Sequence, residues 1–290
     1  MGLCDDVRER CAEVAATARW VEIDAGRLGD VEPGPEPVLD PEKHYLEGSR
    51  EGVAAYLLAL DAINFGSGWF PTLRKRPGCS GYYTVAWALA DHWRENGPWS
   101  PADLRATDGE RVALVLGQEP GHELMDLYAV ALRDLGAFLG ERSALDAIDA
   151  AGGSAERLAE LLAHGMPFFD DTGFFKRAQI TANDLALAGV AEFADLDRLT
   201  IFADNLVPHV LRVDGVLRYH PDLAAHIDGG ELLPPGERER EIRACALHAC
   251  ELIARELGVP PRTLDVMLWN RGQEPRYKAL PRHRTRTVFY

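Results

Sequence analysis

Two aspartates seven residues apart, Asp197 and Asp204, stand in the stretch Asp195-Leu196-Asp197-Arg198-Leu199-Thr200-Ile201-Phe202-Ala203-Asp204-Asn205-Leu206-Val207-Pro208. Leu196, Leu199, Phe202 and Leu206 keep the spacing of one helical stripe, and at about 3.6 residues per turn the two acids share a face. Pro208 has no N–H for the Asp204 carbonyl, so the spacing predicts a helix that ends or kinks here, leaving Asp204 beside freed backbone polarity. A carboxylate in such a cleft can stabilise a developing cation or activate water. The plainer alternative is a solvated acidic face ending at a proline turn.

Three further constellations carry chemistry. In Asn64-Phe65-Gly66-Ser67-Gly68-Trp69-Phe70-Pro71, aromatics on a glycine turn can stack on a flat heterocycle, or else plug the core. In Pro167-Phe168-Phe169-Asp170-Asp171-Thr172-Gly173-Phe174-Phe175-Lys176-Arg177, two acids lie between aromatic pairs and precede two cations. One of the acids can instead cap the helix that follows. From Arg271 to Tyr290 six basic residues face Glu274 alone, a net charge of +5 that leaves −20 on the rest of the chain. So short a basic patch suits one small anion, or it ties to the acidic body through surface ion pairs. In a strand, Arg282, Arg284 and Arg286 would share one face, with His283 opposite.

The elements that must position these groups are mostly helical. Ser49 can cap a helix carrying Val53, Leu57, Leu60 and Ile63; Ser100-Pro101 reads as the start of another; Ser143 and Ser154 open two short ones. Ile242, Ala246, Ala249, Cys250, Ile253 and Leu257 mark one face of a long helix stopped by Gly258 and Pro260. Strand signals are confined to Trp20–Ile23, Val216–Tyr219 and the tail Thr285–Tyr290, and Gly26–Pro41 reads as a linker. The expected fold is mainly α: one globular body over residues 1–290, in which two helical lobes can meet near 140–150.

The 290 residues carry a net charge of −15, with 47% hydrophobic and 27% charged residues, a globular mixture that excludes a disordered chain. No uncharged stretch reaches the ~18 apolar residues of a membrane span, and the acidic start MGLCDDVRER carries no signal-like apolar run. A soluble, cytoplasmic protein is expected. The negative body disfavours polynucleotides, which bind through Lys and Arg. Five cysteines without a C-x-x-C pair, and nine histidines without H-E-x-x-H, lead us to expect no metal. No Walker A loop or G-x-S-x-G elbow occurs, and no cofactor is called for.

Taken together, Leu60-Asp61-Ala62-Ile63-Asn64-Phe65, Phe175-Lys176-Arg177-Ala178-Gln179-Ile180, Leu196-Asp197-Arg198-Leu199-Thr200, Phe202-Ala203-Asp204-Asn205-Leu206-Val207-Pro208 and Pro281-Arg282-His283-Arg284-Thr285-Arg286 give a chain that resembles the queuosine salvage protein family from about residue 45 onward. Glu241-Ile242-Arg243 and Leu268-Trp269 fit as well. The resemblance implies a helical fold like that of helix-hairpin-helix DNA glycosylases. It also implies hydrolysis of queuosine 5′-monophosphate to queuine and ribose 5-phosphate, a salvage step for tRNA modification, with that free nucleotide as partner.

On that resemblance, Asp204 stabilises the ribosyl cation and orients water, and Asp197 supports it. Asn64, Phe65, Trp69, Phe70 and Phe169 surround the base, while Asp170 or Asp171 meets the ammonium of the queuine side arm. Lys176, Arg177, Lys278, Arg282, His283 and Arg284 are the phosphate candidates. Gly66-Ser67-Gly68 lengthens the aromatic turn relative to the family, which leaves open whether Trp69 or Phe70 meets the base. A polynucleotide base glycosylase and a queuine-binding protein without turnover are the competing readings.

Overall fold

Side-chain caps start the helices where the sequence places them. Ser49 accepts from the Gly52 N–H and Ser154 from that of Arg157, while Ser100 and Ser143 form reciprocal capping boxes with Asp103 and Asp146. A computed structural model describes residues 2–32, 34–35 and 37–290. Met1, Pro33 and Glu36 lie outside the described residues, and with Pro33 and Glu36 goes part of the expected linker.

In chain order the helices are α1 (Leu3–Thr17), α2 (Arg50–Ala62), α3 (Gly81–Asn96), α4 (Pro101–Arg105), α5 (Gly109–Val115), α6 (Glu123–Leu139), α7 (Ala144–Asp149), α8 (Ala155–Gly165), α9 (Lys176–Leu187), α10 (Val207–Val213), α11 (Pro221–Asp228), α12 (Glu237–Leu257), α13 (Pro261–Arg271) and α14 (Pro275–Lys278). Strands β1 (Val21–Ile23) and β2 (Leu217–Tyr219) pair antiparallel, Val21 opposite Tyr219 and Ile23 opposite Leu217. The fold is mainly α.

Helix α2 is buried along nearly its whole length because from Gly52 to Leu60 its sequence carries no charge on any face, and it packs on α6, α7 and α9. Helices on both sides of residues 140–150 therefore share one apolar core. The long α12 packs on α1, α10 and α13, and α9 packs on α8. Among the described residues, no helix is long and apolar enough to cross a membrane.

The structure departs from the sequence reading at two places that matter for the site. First, no helix runs from Leu196 to Leu206. Leu196–Arg198 makes a single 3-10 turn, residues 199–203 have no regular structure, and α10 begins at Val207 with Pro208 in its first turn. Proline fits that position because the first N–H groups of a helix have no intrahelical partner, so Pro208 starts a helix rather than ending one. Leu199, Ile201, Phe202 and Ala203 are all buried. Irregular chain surrounded by core thus imitates a helical stripe, and the shared face of Asp197 and Asp204 does not exist.

Second, Thr285–Tyr290 forms no strand. The tail is nonetheless tied in by scattered partners: the Leu233 N–H donates to Arg284 O, and the Gly66 N–H donates to Tyr290 O at 3.0 Å. The Arg177 guanidinium donates to Val288 O at 2.6 Å. The carbonyls of Arg284, Val288 and Tyr290 are thus satisfied without a ladder. Gly68 lies against this tail so closely that a Cβ there would sit 2.6 Å from Thr285 O, which leaves only glycine at this contact.

Candidate active site

The turn after α2, the start of α3, one face of α9, the 202–206 loop, α13 and the tail enclose a cleft of about 1040 Å³, counting its open mouth. Asp204 lines it. Its Oδ1 accepts the Leu206 N–H at 2.7 Å and the Val207 N–H at 3.3 Å, so one carboxylate oxygen is fixed at the start of α10. Oδ2 has no protein donor among the described residues.

The loop that carries Asp204 is pinned from four directions. Gln179 on α9 accepts the Thr200 N–H at 2.9 Å, and Asp265 on α13 accepts the Phe202 N–H at 2.8 Å. Arg243 on α12 donates Nε to Ala203 O at 2.9 Å, and Asn205 donates to His283 O at 3.1 Å, which brings the tail alongside. Arg243 in turn forms a bidentate pair with Asp171, both side chains at most 5% exposed. Removing Asp171 would leave the buried Arg243 guanidinium with Glu239, 3.5 Å away, as its one remaining acid among the described residues. Asp171→Ala is expected to lower unfolding free energy by about 3–5 kcal/mol, read from denaturant titration.

The electrostatics of the cleft are those of buried acids around one amine. Burial pulls the Lys176 ammonium down from its ordinary value, while Asp204, Asp61 and Asp265 hold it up; its Nζ donates to Asn64 O at 3.2 Å. Burial pushes the Asp265 carboxyl up to about 8, with the charge of Asp204 adding to the effect. Asp184, facing the same cleft, and Asp61 behind it are raised as well, by burial first.

A carboxyl raised from 3.8 to about 8 takes up protons on folding. Its contribution to stability is complete below pH 4 and is lost as the pH climbs to 8. Asp265→Asn keeps an acceptor for the Phe202 N–H but cannot ionise. Its melting temperature is expected to exceed that of the wild type at pH 8 by a few degrees, with the difference closing toward pH 4. Melting curves across that range check this.

Of the residues singled out in the sequence, Asn64, Phe65, Phe70, Lys176, Asp204 and Arg282 line the cleft. Arg282 is pulled down by burial while Asp204 supports its charge, and no carboxylate pairs with it among the described residues.

The others lie elsewhere, each for a visible reason. Asp197 is exposed and paired with Arg262 at 2.7 Å. Trp69 points its Nε1 to Glu123 at 2.7 Å, so Phe70 is the aromatic of that turn in the cleft. Phe169 is buried beside the Arg177 guanidinium, 4.7 Å from its ring centre. Asp170 accepts from Thr172, and Asp171 is held by Arg243. Arg177 spends its guanidinium on the carbonyls of Ala62, Phe168 and Val288. Lys278 is exposed, and Arg284 donates to Gly230 O at 2.9 Å. His283 is buried with neither ring nitrogen partnered among the described residues, and burial, then Arg243 and Arg282, push it down to about 3.

His44, Tyr82, Asp184 and Asp265 also line the cleft and were not singled out. A signal existed for the two acids: each interrupts the apolar face of a helix, Asp184 before Leu185 and Asp265 after Leu264. A charge on a buried face is expected only where something compensates it.

The family described as queuosine salvage protein matches residues 43–290. The chain belongs to the queuosine salvage protein family. Curated relatives named queuosine 5′-phosphate N-glycosylase/hydrolase include one from Sphaerobacter thermophilus, 36% identical, with 95% of this chain and 94% of the relative covered. One from Dictyostelium discoideum is 30% identical over 83% of this chain and 79% of its own, and one from Mus musculus 27% over 84% and 83%. The span matched to the queuosine salvage family takes in His44 and every cleft residue after it, whereas Val38, Leu39 and Asp40 precede it.

Proposed function

We propose that this chain is a queuosine 5′-phosphate N-glycosylase, which hydrolyses the bond between queuine and ribose 5-phosphate. The observation that carries the proposal is the half-anchored carboxylate of Asp204, with one oxygen fixed by two backbone N–H groups and the other open to a cleft of nucleotide size. As the C1′–N bond breaks, its electron pair leaves with the base and positive charge develops on the ribose. A negative oxygen already in place stabilises that charge without reorganising. The same oxygen accepts a proton from the attacking water as its hydroxide joins C1′, and a proton is returned to the base nitrogen that kept the electron pair, so that queuine leaves neutral and the carboxylate is restored.

Phe65, Phe70, Tyr82 and Trp269 offer aromatic surface for the deazaguanine. Asp184 and Asp265 are the acids placed for the ammonium of the queuine arm. A cation arriving there favours their charged forms, so binding is expected to release protons, measurable by calorimetry in buffers of different ionisation enthalpy. Arg282 is the cation best placed for the 5′-phosphate. Lys75 stands near enough for Arg282 and Arg284 to lower it, after burial. The start of α3, with Ser80 and Gly81 on the cleft, adds N–H groups suited to an anion.

Incubation with queuosine 5′-monophosphate followed by mass analysis tests the reading. Release of queuine and ribose 5-phosphate supports it, with ¹⁸O from labelled water on the sugar. Saturable binding without release would make the protein a queuine carrier.

A further inference from the structure

One wall of the cleft is built from chain with no helix or strand of its own. Val38, Leu39, Asp40 and His44 all line the cavity, yet residues 38–40 are irregular and 41–43 form only a turn. A segment of this kind holds its shape only where its backbone groups find partners.

Asp40 caps the turn from within, accepting the Lys43 and His44 N–H groups on its carbonyl and that of Glu42 on its carboxylate, and one guanidinium takes the carbonyls that face outward. Arg94, in the last turn of α3, donates to Pro41 O at 3.0 Å, Glu42 O at 3.3 Å and His44 O at 2.8 Å. Its remaining N–H groups reach Glu47 at 2.6 Å and Asp91 at 3.2 Å. Five donors meet five acceptors, and the planar fork is what makes this possible; an ammonium has three donors and no such geometry.

The turn so held aims a specific pair into the cleft. His44 Nδ1 lies 2.9 Å from Asp40 O, and a carbonyl can only accept, so Nδ1 carries the hydrogen. Nε2 of the neutral ring then accepts from the Tyr82 hydroxyl at 3.0 Å. Tyr82 in turn meets Trp269 edge-on, with ring centres 5.6 Å apart. A path of direct contacts thus runs from Arg94 through the turn and His44 to the aromatic wall.

We propose that Arg94 is a positioning residue for the base: from outside the cleft it sets the 41–44 turn and, through His44 and Tyr82, the wall that receives the heterocycle. This rests on the glycosylase reading above. Arg94→Met and Arg94→Lys are compared with wild type by calorimetric titration of queuine and of ribose 5-phosphate, and by steady-state kinetics on the nucleotide.

Both variants are expected to weaken queuine binding and raise KM by about tenfold, leaving ribose 5-phosphate binding and kcat within about threefold. Arg94→Lys keeps a charge opposite Glu47 and Asp91, so it reports even where Arg94→Met fails to fold. Unchanged queuine affinity in a folded variant overturns the inference, as does equal weakening of both ligands or a fall in kcat at constant KM. Failure of the wild type to bind queuine or to turn over would instead overturn the functional reading.

Discussion

Asp204→Asn is expected to lose turnover by a factor of about 10²–10³ while binding the nucleotide within a few-fold of wild type. The amide oxygen can still accept the Leu206 and Val207 N–H groups, so the start of α10 and the loop before it stay in place. What disappears is the negative charge, which matters most when the ribose is most positive. Burst and steady-state measurements on queuosine 5′-monophosphate, with a binding isotherm on the same preparation, separate the two effects. Turnover at the wild-type rate would remove Asp204 from the chemistry. Asp197→Asn, at an exposed ion pair with Arg262, is expected to change turnover by less than twofold.

Arg282→Ala is expected to raise KM for the 5′-monophosphate by about 10- to 100-fold, the range of a lost charge-assisted contact, and to leave the slower reaction of the unphosphorylated nucleoside nearly unchanged. The reasoning is one of availability. Arg177 is committed to three carbonyls, and Arg286 pairs with Glu123. Arg282 faces the cleft with no acid partner among the described residues. Equal losses on both substrates would make Arg282 a structural residue and send the search for the phosphate to Lys75 and the start of α3.

How far the chain could be read before folding differs by residue, and the differences are physical. Caps and apolar periodicity are local, so Ser49, Ser100, Ser143 and Ser154 marked helix starts correctly, and the β1 and β2 segments announced themselves by β-branched and aromatic residues. Around Asp204 the local signal misled, because burial on all sides of an irregular loop leaves the same apolar pattern as a helix face. Charged residues near the aromatics were legible as important but not in kind. Asp171 holds the Arg243 side chain, while Arg177 and Gln179 hold backbone beneath the cleft, and only long-range partners such as Arg243 and Val288 reveal it. Asp184, Asp265 and His44 enter the cleft from segments distant in sequence, a convergence that no spacing rule along the chain encodes.

The threading of residues 281–290 between the Asp204 loop, Arg177 and the turn after α2 has a consequence for synthesis. A nascent chain that has emerged only as far as α14 already contains every helix of the described residues, yet Arg177 and Gly66 still lack their Val288 and Tyr290 carbonyl partners. The wall of the cleft is therefore assembled last, by contacts spanning more than two hundred residues of chain, between Gly66 and Tyr290. Such distant pairings form slowly. On the ribosome the enzyme is expected to pass through a stage that is helical by spectroscopy but unable to hold its substrate, and activity should lag behind helix content during refolding.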